Sequence, residues 1–461
     1  MRCQWGAEVA RVAQGARVVR TILVMLLLWL LGALFSGLAA TPVAAQTAAD
    51  RSYIVVLRDP SDAPAVASAH ASAFGLRLEH VYRHVLRGYA ATIPATRLDR
   101  IKADPRVLFV AEDAEVRTAD VRRATGQTLP TGVDRIDAEL SSRFSADPST
   151  WPLAVAVIDT GVGPHADLNV AGGVNCHTSD RPNPGNFGDG NGHGTHVAGT
   201  IGARNNAAGV VGVAPGVRLY AVRVLGNNGS GRTSHVLCGI EWVTANASAL
   251  GIKVANMSLG GFGFDDGNCG LSNFDPQHLA ICNSVAAGVT YVVAAGNEER
   301  NLVGTIPAAY NEVLTVTAMS DSDGKPAGLG GRPDCRTEEQ DDAVAGFSNF
   351  GMPGGNDVAH TVAGPGVCIV STVPTGLCDL CDPSGLAVLS GSSMATPHVA
   401  GTVALCIASG RCSGPPSTIM ARLRADAALA NLIRPGYGFA GDPLRPVAGR
   451  YYGFLVYAGG Y

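Results

Sequence analysis

A chain of 461 residues with 58 glycines and 16% charged residues is long enough for two or three domains and a large core, and it excludes a disordered polymer. A net charge of −4 implies no partner bound by neutralising a nucleic-acid backbone. The charge is uneven: residues 1–123 hold 16 Lys and Arg against 11 Asp and Glu, and the remainder holds 18 against 27.

Arg17 and Arg20 precede an apolar run from Ile22 to Phe35, followed by the small residues Ala39 to Ala45. A basic, then apolar, then small-residue order predicts a secretory signal over 1–45, and hence an extracellular protein. Thr21 to Ala40 is also about the length of a membrane-spanning helix, but the Val43-Ala44-Ala45 pattern favours a cleaved signal. Cys3 falls in that segment, and the other ten cysteines lie between Cys176 and Cys412. An even number in an exported chain points to disulfides. Nearness suggests Cys378–Cys381, Cys406–Cys412 and Cys269–Cys282, and leaves Cys176, Cys238, Cys335 and Cys368 with connectivity open.

Residues 51–117 read as a small separate unit. Strands are predicted at Tyr53–Leu57, Leu76–Tyr82, Gly88–Ile93 and Val107–Val110, with helices at Ala63–Phe74 and Pro94–Lys102. The order βαββαβ is that of a ferredoxin-like α+β domain. Residues 111–135 are polar and basic and read as an unstructured linker, where proteases cut. From Trp151 the pattern changes. Leu153–Ile158, Leu219–Leu225, Val254–Leu259, Val289–Ala295 and Val313–Ala318 are apolar runs of the kind that parallel strands show when both faces are covered. Helical stretches alternate with them at His193–Ala203, Ser234–Ala249 and Pro276–Ala287. This predicts an α/β domain over 124–430: a doubly wound, mostly parallel sheet with helices on both faces, whose active residues gather at the strands' carboxyl ends. The Gly- and Tyr-rich residues 431–461 read as an extension, adding an edge strand or lying along the surface.

Four polar residues stand at such strand ends or helix starts. Asp159 closes the first apolar run. His193 lies between glycines in Gly192-His193-Gly194-Thr195-His196, and its ordinary pKa of about 6.5 suits a base that takes and returns a proton. Asn297 follows the run ending at Ala295 and offers an N–H to a developing oxyanion. Ser393, in Gly391-Ser392-Ser393-Met394-Ala395-Thr396-Pro397-His398, opens a helical run. Together they supply an orienting acid, a base, an oxyanion donor and a nucleophile. His196 three residues after His193 admits a metal reading, but no Glu adjoins either and no third ligand is evident.

The motifs Val157-Ile158-Asp159-Thr160-Gly161, Gly192-His193-Gly194-Thr195-His196-Val197-Ala198-Gly199, Ala294-Ala295-Gly296-Asn297 and Gly391-Ser392-Ser393-Met394-Ala395-Thr396-Pro397 resemble those of the subtilisin-like serine peptidases, of the proteinase K type with an inhibitor-like propeptide. The order Asp, His, Ser is also theirs. The resemblance covers roughly 52–430 and implies an endopeptidase acting through an acyl-enzyme on Ser393. Ser392 stands where the family usually has Thr. The resemblance further implies that Gly229-Ser230-Gly231 and Ser258-Leu259-Gly260 pair with an extended peptide. It makes 46–123 a propeptide and linker that inhibits and assists folding, with its acidic end at Glu112-Asp113-Ala114-Glu115 leading into the cleft. Self-cleavage is expected between Arg117 and Gln127. Partners are extended polypeptides and the chain's own propeptide, with no nucleic acid, and a monomer is expected. No cofactor is needed for the chemistry and no metal ligand is assigned. Structural calcium at Asp265-Asp266 or Asp321-Asp323 is left open. Asn256-Met257-Ser258 fits a glycosylation pattern but sits in a predicted core strand, and is discounted.

Overall fold

The computed structural model describes residues 51–58, 60–82, 87–112, 123–124, 126–177, 185–376 and 378–461. The signal segment 1–45, the acidic stretch from Asp113 and the basic residues Arg117 and Arg122 lie outside them. The chain forms two compact units, divided at Val116 and Arg117.

The first unit comprises β1 (Arg51–Leu57), α1 (Ala63–Phe74), β2 (Arg77–Tyr82), β3 (Gly88–Ile93), α2 (Ala95–Lys102) and β4 (Val107–Glu112). Its sheet runs β2-β3-β1-β4, all antiparallel. This is the ferredoxin-like arrangement expected from the order of elements. Val55, Tyr89 and Ile93 from the strands meet Val66, Ala67 and Ile101 from the helices in one core.

The first described elements of the second unit are two two-residue strands, Arg123–Ala124 and Gln127–Thr128, paired antiparallel, and the latter pairs in parallel with Gly209–Val210. Here the expected linker is corrected. Gln127 is buried, and its Nε2 donates to the carbonyls of Arg204 (2.6 Å), Ala208 (3.0 Å) and Val210 (3.0 Å). The short helix α3 (Thr131–Arg135) follows. Arg135 is buried because the fold supplies its partners: Asp342 at 2.7 Å, Asp321 at 3.7 Å, and the carbonyls of Tyr437 and Gly438. A buried charge is tolerated only with such partners, and they come from parts of the chain distant in sequence.

The main sheet is built from β5 (Ala154–Asp159), β6 (Val170–Asn175), β7 (Arg218–Arg223), β8 (Ile252–Met257), β9 (Thr290–Ala294), β10 (Leu314–Ser320), the short β11 (Ala343–Val344) and β12 (Thr361–Pro365). The order is β11-β10-β9-β8-β5-β7-β6, with β12 also on β10. All pairings are parallel except β11 on β10. Side chains alternate between two cores, as the strand period requires. Val155 and Val157 face one core, with Val197, Ala198 and Ile201 of α4 (His193–Gly202) and with Val399 and Val403 of α7 (Ser392–Ala408). Ala154, Ala156 and Ile158 face the other, with Val236, Ile240, Val243 and Ala247 of α5 (Thr233–Leu250) and Ile281 of α6 (Pro276–Ala286). Fully burying each Val or Ile contributes about 1.5–3 kcal/mol. Helices therefore cover both faces, as the uninterrupted apolar strands imply.

A strand pair, β13 (Ile369–Thr372) with β14 (Leu386–Leu389), and a helix, α8 (Pro416–Ile433), complete the domain. Residues 431–461 are not a surface layer. Phe439, Tyr452, Leu455, Val456 and Ala458 are core residues, and single bridges join Ala440 to Ala343 and Leu455 to Ala363. The three disulfides expected from nearness form, and Cys176–Cys238 and Cys335–Cys368 pair the other four cysteines.

Candidate active site

β5 has β7 on one side and β8 on the other, so the chain's direction of travel across the sheet reverses at this strand. Such a reversal opens a crevice at the carboxyl ends, and Asp159 stands at that end. It is fully buried; its Oδ1 accepts from Thr160 N (2.7 Å) and lies 2.8 Å from His193 Nδ1. His193 is the first residue of α4 and keeps partial exposure. Two flanking glycines permit this placement. Gly192 has φ 108°, and a Cβ on Gly194 would fall 2.1 Å from Gly161 O.

With Nδ1–H donated to Asp159, Nε2 of His193 carries the free lone pair. Burial lowers the pKa of the ring. The charge and hydrogen bond of Asp159, with the charge of Asp189, more than offset this, and the net displacement is upward.

Asp189 was not singled out in the sequence. Its Oδ1 accepts from Thr160 Oγ1, Asn191 N and Gly192 N, and its Oδ2 from Thr195 N and Oγ1, all between 2.6 and 2.9 Å. It thus ties the end of β5 to the first turn of α4, where the free N–H groups of a helix favour a carboxylate. An acid four residues before His193 is the signal that could have exposed it.

Ser393 is the second residue of α7 and is partly exposed, whereas Ser392 is buried. Ser392 Oγ accepts from Gly296 N (3.0 Å), and its own N–H donates to Asn297 Oδ1 (2.7 Å). That bond fixes the Asn297 amide beside the start of α7: a Cβ on Gly391 would lie 3.5 Å from Asn297 Nδ2 and 3.7 Å from Ser393 N. Ser393 Oγ donates to Ser258 O (3.1 Å), and Ser258 Oγ donates to Ser393 O (2.8 Å). The structure therefore joins Asp159 to His193 and Asn297 to the Ser393 turn, while the Ser393 hydroxyl is hydrogen-bonded to Ser258 and not to His193.

Gly229, Ser230, Gly231, Ser258, Leu259 and Gly260 all line one cleft of about 520 Å³ with His193 and Asn191. Gly226 N donates to Ser230 O, and Leu225 bridges Gly231, so one wall is a small hairpin. Phe262, Gln277 and Ile306, not anticipated from the sequence, also line it.

His196 does not share an ion with His193. Its Nε2 is within bonding distance of the carbonyls of Ile369 (3.0 Å) and Ala387 (3.2 Å), and burial pushes its pKa down to about 3. Asn256 is fully buried in β8, which leaves no room for a glycan.

Residues 152–439 match the sequence model of the Subtilase family. The chain belongs to the subtilase family. Residues 52–119 match the peptidase inhibitor I9 family, which places an inhibitor-type domain ahead of the subtilase domain. Alkaline elastase YaB of Bacillus sp. (strain YaB) is 38% identical over 308 residues, 67% of this chain and 66% of that protein. The subtilase thus spans just under two thirds of that relative's length. Subtilisin NAT of Bacillus subtilis subsp. natto is 34% identical over 378 residues, 80% of this chain and 84% of that one. A solved cold-adapted subtilisin-like serine proteinase is 29% identical, covers 71% of this chain and 97% of its own, and has a TM-score of 0.49, too low to add to the assignment.

Proposed function

We propose that this subtilase is a secreted serine endopeptidase, working as a monomer on extended polypeptides and made as a zymogen with residues 52–119 as its own inhibitor and folding aid. The observation that carries the chemistry is the 2.8 Å contact between His193 and buried Asp159, facing a peptide-sized cleft beside the Ser393 turn. In this reading Ser393 is the nucleophile, His193 the base, and Asp159 holds the ring in the tautomer that accepts a proton at Nε2.

A turn of the Ser393 side chain from Ser258 O toward His193 brings the hydroxyl to its base. Attack on a substrate carbonyl builds negative charge on its oxygen. The backbone N–H of Ser393 and the Asn297 Nδ2 stand together where that oxygen would form, and donors fixed in advance are worth far more there than mobile water. His193 then returns the proton to the departing amine, and water repeats the cycle on the acyl group. The buried state of Ser392, with both its polar groups committed, supports Ser393 as the reactive residue. Export rests on the segment 1–45, and the supporting feature elsewhere is the set of five disulfides.

A serine-directed phosphonylating reagent tests this reading. It should abolish peptide hydrolysis and label wild type and Ser392→Ala but not Ser393→Ala. Chelator should leave turnover intact at temperatures where the fold persists. Labelling of Ser393→Ala, or turnover lost with the metal while the fold remains, rejects it.

A further inference from the structure

Between the cleft and the far end of α6 the chain carries a segment, 263–275, stapled to the helix by Cys269–Cys282. His278 of α6 lies beneath it, fully buried, with its ring stacked on Tyr310 at 4.0 Å and an interplanar angle of 1°. Nε2 lies 2.8 Å from Glu312 Oε2. Nδ1 faces Asp266 Oδ1 at 3.4 Å and Asp265 Oδ1 at 3.6 Å, and has no hydrogen-bond partner. A neutral ring that donates Nε2–H to Glu312 therefore turns a bare lone pair on two carboxylate oxygens. That arrangement is repulsive unless a cation stands among the three atoms.

The separations bear on which cation it is. They exceed the 2.7–3.2 Å of ordinary N–H···O bonds. They match the spacing of about 3.4 Å that neighbouring ligands adopt around a tetrahedral ion with metal–ligand bonds of about 2.0–2.2 Å. Both carboxylates are oriented by hydrogen bonds, most of them from the loop itself. Asp266 accepts from the N–H groups of Asn268, Gly270, Ser272 and Asn273, and Asp265 from that of Gly267 and from the Asn311 amide. Glu312 behind the imidazole completes the carboxylate–histidine–metal relay that fixes a ligand ring and raises its basicity.

We propose that Asp265, Asp266 and His278 form a structural zinc site, with Glu312 orienting the imidazole and water in the fourth position. One imidazole with two carboxylates suits a borderline transition ion and not calcium, which takes oxygen ligands alone. The cysteines of this cluster are paired with each other and offer no thiolate. The ion would pin 263–275 to α6 behind the cleft wall, where Phe262 and Gln277 flank it in sequence.

The test uses the full chain with Ser393→Ala, to prevent self-digestion, stripped by chelator and titrated with zinc chloride. One zinc per chain should bind, with a rise in Tm. Asp265 is partly exposed, and Asp265→Asn keeps an oxygen for Gly267 N–H; this variant should remain folded and lose the zinc. Glu312→Gln should weaken binding about 10- to 100-fold. No stoichiometric uptake, or uptake unchanged in Asp265→Asn and His278→Gln, overturns the proposal.

Discussion

His193 holds its proton more tightly than a free imidazole because Asp159 and Asp189 outweigh the cost of burial. A general base works only when deprotonated. Since the folded pKa is raised, the acid limb of kcat/KM should report one protonation with its midpoint above the ordinary value of about 6.5. A pH–rate profile on a neutral peptide measures it. A midpoint at or below that value would mean that desolvation wins over the two carboxylates. Asp159 and His193 were legible as chemistry because a carboxylate at a strand end and a histidine between glycines are unusual local patterns. Asp189 was not, since its role is to accept hydrogen bonds from a strand end 29 residues earlier and from a helix that has not yet begun in the sequence.

At the scale of elements, α4 is seated on β13 through backbone acceptors. Ser371 Oγ donates to His196 O (2.7 Å) and Thr372 Oγ1 to Thr195 O (2.9 Å). Gly199 makes that approach possible: a Cβ there would lie 2.2 Å from Thr372 Oγ1 and 2.4 Å from Ser371 Oγ. Gly199→Ala should therefore destabilise the domain by about 1–3 kcal/mol, read as a lower urea midpoint with unchanged slope. A midpoint equal to wild type would show that β13 yields without cost. The long elements were readable because their periodicity is unbroken; β5 runs from Ala154 to Asp159 within a residue of expectation. Elements held by distant partners were not. α3 hides a buried arginine that looks like linker charge, and β13 and β14 are only four residues each. The Tyr-rich end reads as surface until Phe439 and Tyr452 are seen in the core.

For the whole molecule, the proposed zymogen requires one cut that the chain makes in itself. Secreted wild type should begin between Arg117 and Gln127, and Ser393→Ala should accumulate as a longer precursor lacking only its signal. N-terminal sequencing of both distinguishes the cases; identical ends would assign the cut to another protease. The buried amide of Gln127, locked onto three carbonyls of the 204–210 segment, limits how far the new end can then be shortened. Exopeptidases that nibble a freshly exposed amino end can fray whatever precedes that plug, but must extract it to go further. Ragged trimming should thus stall there, giving a heterogeneous set of early cuts a common inner limit.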